Sequence, residues 1–221
     1  MGAMTRVLII LTSHDTIGST GRRTGFHAGE AAEPWHVFRD AGFDVDVASV
    51  AGGAAPVDSR DDLDPAQEAF FRAVDIERTA RAADVSPGDY DVVFFAGGHG
   101  TMWDFPDNAD LERLAAGVYE RGGVVAAVCH GPAALVGLRL SDGSYLVDGK
   151  RVAAFTNEEE TIVGLADTVP FLLADALIKQ GAQHVAAAPW TPQVIADGRL
   201  VTGQNPQSAR GVAEQIITIL P

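Results

Sequence analysis

The sequence predicts an α/β fold, one domain built on a mainly parallel sheet with helices on both faces. Three observations carry that expectation. Short runs of near-continuous apolar residues, VLIIL at 7–11, VVFFA at 92–96 and VVAAV at 124–128, are the pattern of strands covered on both sides. Segments of helical spacing stand between them, DLERLAAGVYE at 110–120 among them. The size fits as well: 221 residues, 47% hydrophobic and 21% charged, suit one large domain with a sizeable core.

The first strand is 7–11, and residues 12–30, TSHDTIGSTGRRTGFHAGE, lack any period and read as a long loop, which in a compact domain is usually a binding segment or disordered. A short helix is expected from Pro34 to Ala41, ended by Gly42. FDVDVASV at 43–50 alternates as a second strand before the Gly52–Gly53 break. Asp64–Pro65 opens a helix by the cap-then-proline rule, and 66–83 continues it. YDVVFFAGGHG is a strand that breaks into a glycine turn. NADLERLAAGVYERG is a helix and GVVAAVC a further buried strand. SDGSYLVDGKRVAAFT predicts a hairpin with Asp148–Gly149 as its tight turn. A long helix is expected from about Glu158 to Gln180, closing strands at HVAAAP and RLVTGQ, and a last helix capped by Asn205–Pro206. No repeat, low-complexity tract or linker interrupts this order, so 1–221 reads as a single domain, with residues 1–3 a cloning remnant.

Composition excludes several functions. A formal net charge of −14 repels phosphates over most of the surface, which argues against nucleic-acid or anionic-membrane partners. No run of about 18 apolar residues and no signal-peptide order are present, so the expected location is cytoplasmic. A single cysteine cannot form an internal disulfide.

That cysteine is the centre of the functional reading. In Ala127-Val128-Cys129-His130-Gly131, Cys129 ends a buried strand at the start of an expected helix, the pattern of a nucleophile elbow, whose tight turn needs small neighbours. A helix N-terminus would lower the thiol pKa toward thiolate, and the His130 N–H would face an oxyanion formed beside the sulfur. Gly97, Gly98 and His99, in the turn after the neighbouring strand, are candidates for the other half of an oxyanion hole and for substrate binding. The glycines do not match G-x-G-x-x-G, so no dinucleotide site is read there. His130 is a candidate general base once a partner orients its ring. FTNEEET offers Glu158, Glu159 and Glu160, and spacing does not choose among them.

Together, AGGHGTMWDFPDN, AVCHGPAAL, FTNEEET and GRLVTGQNPQSA resemble the ThiJ/PfpI superfamily, and most of all its heat-shock-chaperone branch with glutathione-independent glyoxalase (glyoxalase III) activity. The resemblance extends over nearly the whole chain. It implies a flavodoxin-like three-layer sandwich of the class I glutamine-amidotransferase type, usually a homodimer. It also implies a triad of Cys129, His130 and Glu160, the acid being the glutamate directly before Thr161. A further glutamate against the sulfur falls on Glu30 rather than Glu33, and it carries a proton because an ionised carboxylate would repel a thiolate. His27 stands where many relatives have an aromatic. The compact 139–152 segment implies a small lid. His14, His36 and His184 show no ligand spacing, so no metal is expected, and no cofactor.

The function implied is conversion of methylglyoxal and related 2-oxoaldehydes to 2-hydroxy acids. One rival class is a holding chaperone or protein-repair factor that binds unfolded clients and uses the thiol as a redox sensor. Another is a cysteine peptidase or amidase. A glutaminase would need a late His-x-Glu, and His184 is followed by Val185 and Ala186.

Overall fold

The computed structural model describes residues 4–58 and 60–220. The 1–3 segment read as a cloning remnant lies outside them. Among the described residues, seven strands form one sheet: β1 (Arg6–Leu11), β2 (Asp44–Ser49), β3 (Ala80–Arg81), β4 (Val92–Phe95), β5 (Val124–Val128), β8 (Val194–Asp197) and β9 (Leu200–Gly203). Their order is β3-β2-β1-β4-β5-β9-β8, parallel except for the antiparallel edge strand β8. A separate pair, β6 (Arg151–Val152) with β7 (Gln183–His184), is also parallel.

Alternation along the central strands fills two cores. Leu8, Ile10, Val93, Phe95 and Val125 face one side, where α4 (Ala109–Glu120) packs through Leu111, Leu114 and Val118. The single turn α3 (Thr101–Asp104) precedes it and adds Met102 to the same core. Val7, Ile9, Phe94, Ala126 and Val128 face the other side, against α1 (Ala28–Asp40), α2 (Pro65–Ala73) and α7 (Ala209–Ile219). Strands with both faces covered must be apolar at every position, which is why β4 and β5 are unbroken runs. The result is the expected sandwich. No helix of the described residues is long and apolar enough to cross a membrane.

Several boundaries differ from the sequence expectation. Helix α1 begins at Ala28, not Pro34; residues 28, 29, 31 and 32 are small and buried, and Pro34 lies inside the helix. Helix α2 stops at Ala73 because the chain is then drawn to the sheet edge, with Ala55 N–H bonding Ile76 O at 2.8 Å and Thr79 pairing Gly53. Tertiary pairing there overrides a helical pattern. The long helix over 158–180 is two short ones, α5 (Asn157–Ile162) and α6 (Leu173–Lys179). Gly164, at φ +74°, and Pro170 lie in the break. Asp148–Gly149 does turn, with Lys150 N–H bonding Val147 O at 3.0 Å, but it joins no hairpin. Its downstream residues pair with β7 instead. Of HVAAAP only His184 is in a strand, and the strand closing the sheet is β8, joined to β9 through Gly198 at φ +60°.

The register positions the site. Ile10 pairs with Phe95 and Phe95 with Ala127, so β1, β4 and β5 end level with one another. The turns leaving their C-terminal ends meet in one crevice, where open parallel sheets place ligands.

Candidate active site

Cys129 directly follows β5 and holds φ +62°, a left-handed conformation that is strained for a residue with a Cβ. Its backbone is pinned on both sides: its N–H donates to Gly203 O at 3.0 Å, and its carbonyl accepts from Phe155 N–H at 2.9 Å. The turn closes tightly, since a Cβ at Gly131 would run into the Phe95 carbonyl. Residues Gly131–Leu135 then form a 3-10 turn, not the expected α-helix. The thiol therefore has no helix dipole beneath it, and at 4% exposure burial pushes its pKa up, with Glu30 adding to the effect. The expectation of a resting thiolate is overturned, because desolvation outweighs the one favourable contact, the His130 N–H facing the sulfur.

His130 stands between the thiol and Glu160. Its Nδ1 lies 3.4 Å from Sγ, and its Nε2 lies 2.7 Å from Glu160 Oε2. The second oxygen of Glu160, Oε1, lies 2.8 Å from His99 Nε2. Burial alone would raise the Glu160 pKa, but hydrogen bonds from both imidazoles outweigh it and hold the carboxyl at about 2. An ionised carboxylate only accepts, so both histidines carry Nε2–H, and His130 presents a bare Nδ1 to the thiol. Burial, with His99 alongside, lowers the His130 pKa to about 4, so the ring is neutral at rest.

The choice among the three glutamates is settled by local capping. Thr156 caps α5 and forms a capping box with Glu159. Glu159 is buried and accepts from Thr156 N–H and Oγ1–H on one oxygen, and from Trp190 N–H, Gln204 and Asn205 on the other. Those bonds overcome burial and keep it ionised, a structural anchor for the 190 and 205 segments. Glu160 is the next residue and faces His130.

Glu30 comes from the first turn of α1, whose start is held against the glycine turn by the His27 N–H to Gly97 O bond of 3.0 Å. The carboxyl is 1% exposed and faces the Cys129 thiol and the Gly97 N–H, yet neither oxygen makes a well-formed hydrogen bond within the chain. Burial raises its pKa to about 8, outweighing the opposite pull of the Cys129 thiol and the Gly97 N–H, so it holds its proton at neutral pH. Gly97 and Gly98 are glycines for space. A Cβ at Gly97 would run into the Glu30 carboxyl and lie 2.6 Å from Val128 O, and one at Gly98 would lie 2.6 Å from His27 N. Since the Gly97 N–H is directed at Glu30, it is not a free oxyanion donor, whereas Gly98 lines the cavity.

These groups enclose a cavity of about 190 Å³ lined by Glu30, Gly98, His99, Cys129 and His130, with Phe155 and Trp190 as apolar walls. Phe155 packs on His130 at 4.3 Å between ring centroids and on Trp190 at 5.7 Å. The 139–152 segment contributes no wall, so it is not a lid over this site. His14, His36 and His184 each place Nε2 on a backbone carbonyl, a structural use. His99, His130 and Glu160 are grouped closely enough to ligate a cation, but only by giving up the two N–H···O bonds that set the tautomers.

Residues 23–219 match the DJ-1/PfpI family. The chain belongs to the DJ-1/PfpI family. All the cavity-lining residues fall inside the DJ-1/PfpI match. Similar proteins include Glyoxalase 3 of Candida albicans, 37% identical over 97% of this chain and 98% of that protein. The glutathione-independent glyoxalase HSP31 of Saccharomyces cerevisiae is 38% identical with coverage of 97% and 98%. Among solved structures, the Rapid Encystment Protein 24 KDa of Francisella tularensis superposes with a TM-score of 0.94 at 38% identity, over 99% of this chain and all of that one. Glyoxalase III of Candida albicans gives 0.90 at 36% identity, covering 99% and 98%.

The structure thus brings Cys129, His130, Glu160 and Glu30 together. Sequence reasoning missed the His99 side chain as a second imidazole on Glu160, and missed the walls Phe155 and Trp190. The Thr156-x-x-Glu159 capping box was the available signal for sorting the glutamates.

Proposed function

We propose that this protein is a glutathione-independent glyoxalase converting methylglyoxal and related 2-oxoaldehydes to 2-hydroxy acids. The observation that carries the reading is a sealed thiol facing the bare Nδ1 of an oriented imidazole, with a protonated carboxyl on its other side, in a cavity of about 190 Å³. That space suits a three-carbon substrate, and the chemistry needs no redox cofactor.

Sγ adds to the aldehyde carbon C1 while its proton passes to His130 Nδ1. The carbonyl pair moves onto oxygen, received by the N–H groups of His130 and Gly98, and His130 returns the proton there to give a hemithioacetal. His130 Nδ1 then removes the C1 proton as Glu30 donates its own to the C2 oxygen, giving an enediol. Protonation of C2 by His130 and return of the C1 hydroxyl proton to Glu30 leave a 2-hydroxyacyl thioester, which water hydrolyses. The two backbone hydrogen bonds that pin Cys129 at positive φ hold Sγ in place for the first step.

Two findings weigh against the rival uses of the same site. A redox sensor needs a thiolate at rest, and burial keeps this thiol protonated. A peptidase must seat chain on both sides of the scissile bond, for which the cavity is small. The test is lactate formation from methylglyoxal by purified protein without added thiol. Cys129→Ala should form none; lactate at the wild-type rate from that variant would refute the proposal.

A further inference from the structure

His27 also lines the cavity, as do Asp58, Val163 and Pro206, and the surroundings of its ring are unusual. Its Nδ1 is buried with no hydrogen-bond partner, and so are both oxygens of Glu30. Nδ1 lies 3.8 Å from Glu30 Oε1, beyond a direct hydrogen bond but close enough for one water oxygen to bond both. Buried polar atoms are rarely left unmatched, and His27 Nδ1 with Glu30 Oε1 3.8 Å away marks a place for a polar ligand. The ring itself reaches outward, its side chain 39% exposed. Gly29 makes room for it: a Cβ there would lie 3.3 Å from His27 Cε1.

His130 is poorly placed for the last chemical step. Its Nε2 is tied to Glu160, its Nδ1 faces sulfur, and its ring is closed in by His99 at 4.1 Å and Phe155 at 4.3 Å. Thioester hydrolysis needs a base that water can reach and that can exchange its proton with solvent. An imidazole with one nitrogen inside the cavity and part of its ring outside meets both needs.

We propose that His27 is a second catalytic base, dedicated to hydrolysis of the acyl–Cys129 thioester, with the attacking water seated between His27 Nδ1 and Glu30. The inference rests on the glyoxalase reading and adds a residue to it. Water gives a proton to His27 Nδ1 as its oxygen bonds to the thioester carbon, and the carbonyl pair moves onto oxygen. Collapse breaks the C–S bond, the pair going to Sγ, which takes the proton held by Glu30. The His27 imidazolium then reprotonates Glu30, so the acid is released and both side chains return to their starting states.

The experiment compares wild type with His27→Gln and His27→Ala during turnover of methylglyoxal. Lactate is measured, and acyl enzyme is trapped after an acid quench with hydroxylamine, which converts a thioester to a hydroxamate and a hemithioacetal to an oxime. Loss of a general base should lower kcat by about 10²-fold. Thioester should rise to most of the enzyme in both variants, while KM falls because acylation is intact. Added imidazole should restore turnover in His27→Ala. Wild-type turnover without thioester accumulation in both variants would overturn the proposal. So would slow turnover with no trapped thioester and no imidazole rescue, the signature of a purely structural residue. Absence of both lactate and thioester from wild type would instead remove the glyoxalase reading, and this inference with it.

Discussion

Replacing Glu30 by Gln should make the protein more stable at alkaline pH while destroying its activity. The carboxyl is sealed, lacks a well-formed hydrogen bond, and keeps its proton up to about pH 8 against an ordinary value of 4.5. Between those pH values the folded protein holds a proton that the unfolded chain releases. Stability from this group is therefore complete below about pH 4.5 and declines as pH rises through 8. At about 1.4 kcal/mol for each tenfold change in proton affinity, the decline approaches 5 kcal/mol. Glutamine is neutral throughout and escapes it, though its amide brings two N–H donors into the site, and one left unmet costs about 1–3 kcal/mol. The net expectation is a gain of about 1–3 kcal/mol at pH 8 and none at pH 5. Urea unfolding of both proteins at the two pH values measures this, and differencing cancels the other titrating groups. Lactate formation should drop by at least about 10²-fold. Equal pH slopes for the two proteins would refute the reasoning.

The same contacts set four further expectations. In Glu160→Gln one amide oxygen replaces two acceptors, so one histidine must reverse its tautomer; kcat/KM for methylglyoxal should fall between about 10² and 10⁴-fold, the upper end if His130 reverses. Wild-type kcat/KM should itself decline as pH rises through about 8, where Glu30 loses its proton, and a pH–rate profile reads this directly. Gly97→Ala should abolish activity, because its methyl displaces the Glu30 carboxyl and presses on Val128 O, and a drop in Tm should accompany the loss. Glu159→Gln should cost about 3 kcal/mol in denaturant unfolding, since a buried carboxylate with five donors becomes an amide that cannot satisfy them all.

The central strands and the elbow were legible because burial on both faces allows only apolar residues, and because the turn at Cys129 tolerates only small neighbours. Features set by distant pairing were not legible. The end of α2 depends on Ala55 and Gly53 receiving the chain, and the partner of 151–152 lies about thirty residues away at 183–184. The state of the sulfur was misread for a related reason: helix-like spacing after Cys129 becomes a 3-10 turn, and the deciding influence, burial beside Glu30, comes from the far end of the sequence. The break between α5 and α6 could have been read, since Gly164 and Pro170 both stand in it.

The enclosure of the sulfur has a chemical consequence. The sulfur lies at a cavity of about 190 Å³, neutral and buried, with His130 Nδ1 3.4 Å away. In the proposed reaction small dicarbonyls fit such a space, while bulky oxidants and dye-linked maleimides meet a neutral, recessed thiol. The enzyme can thus work among electrophiles that would disable an open cysteine.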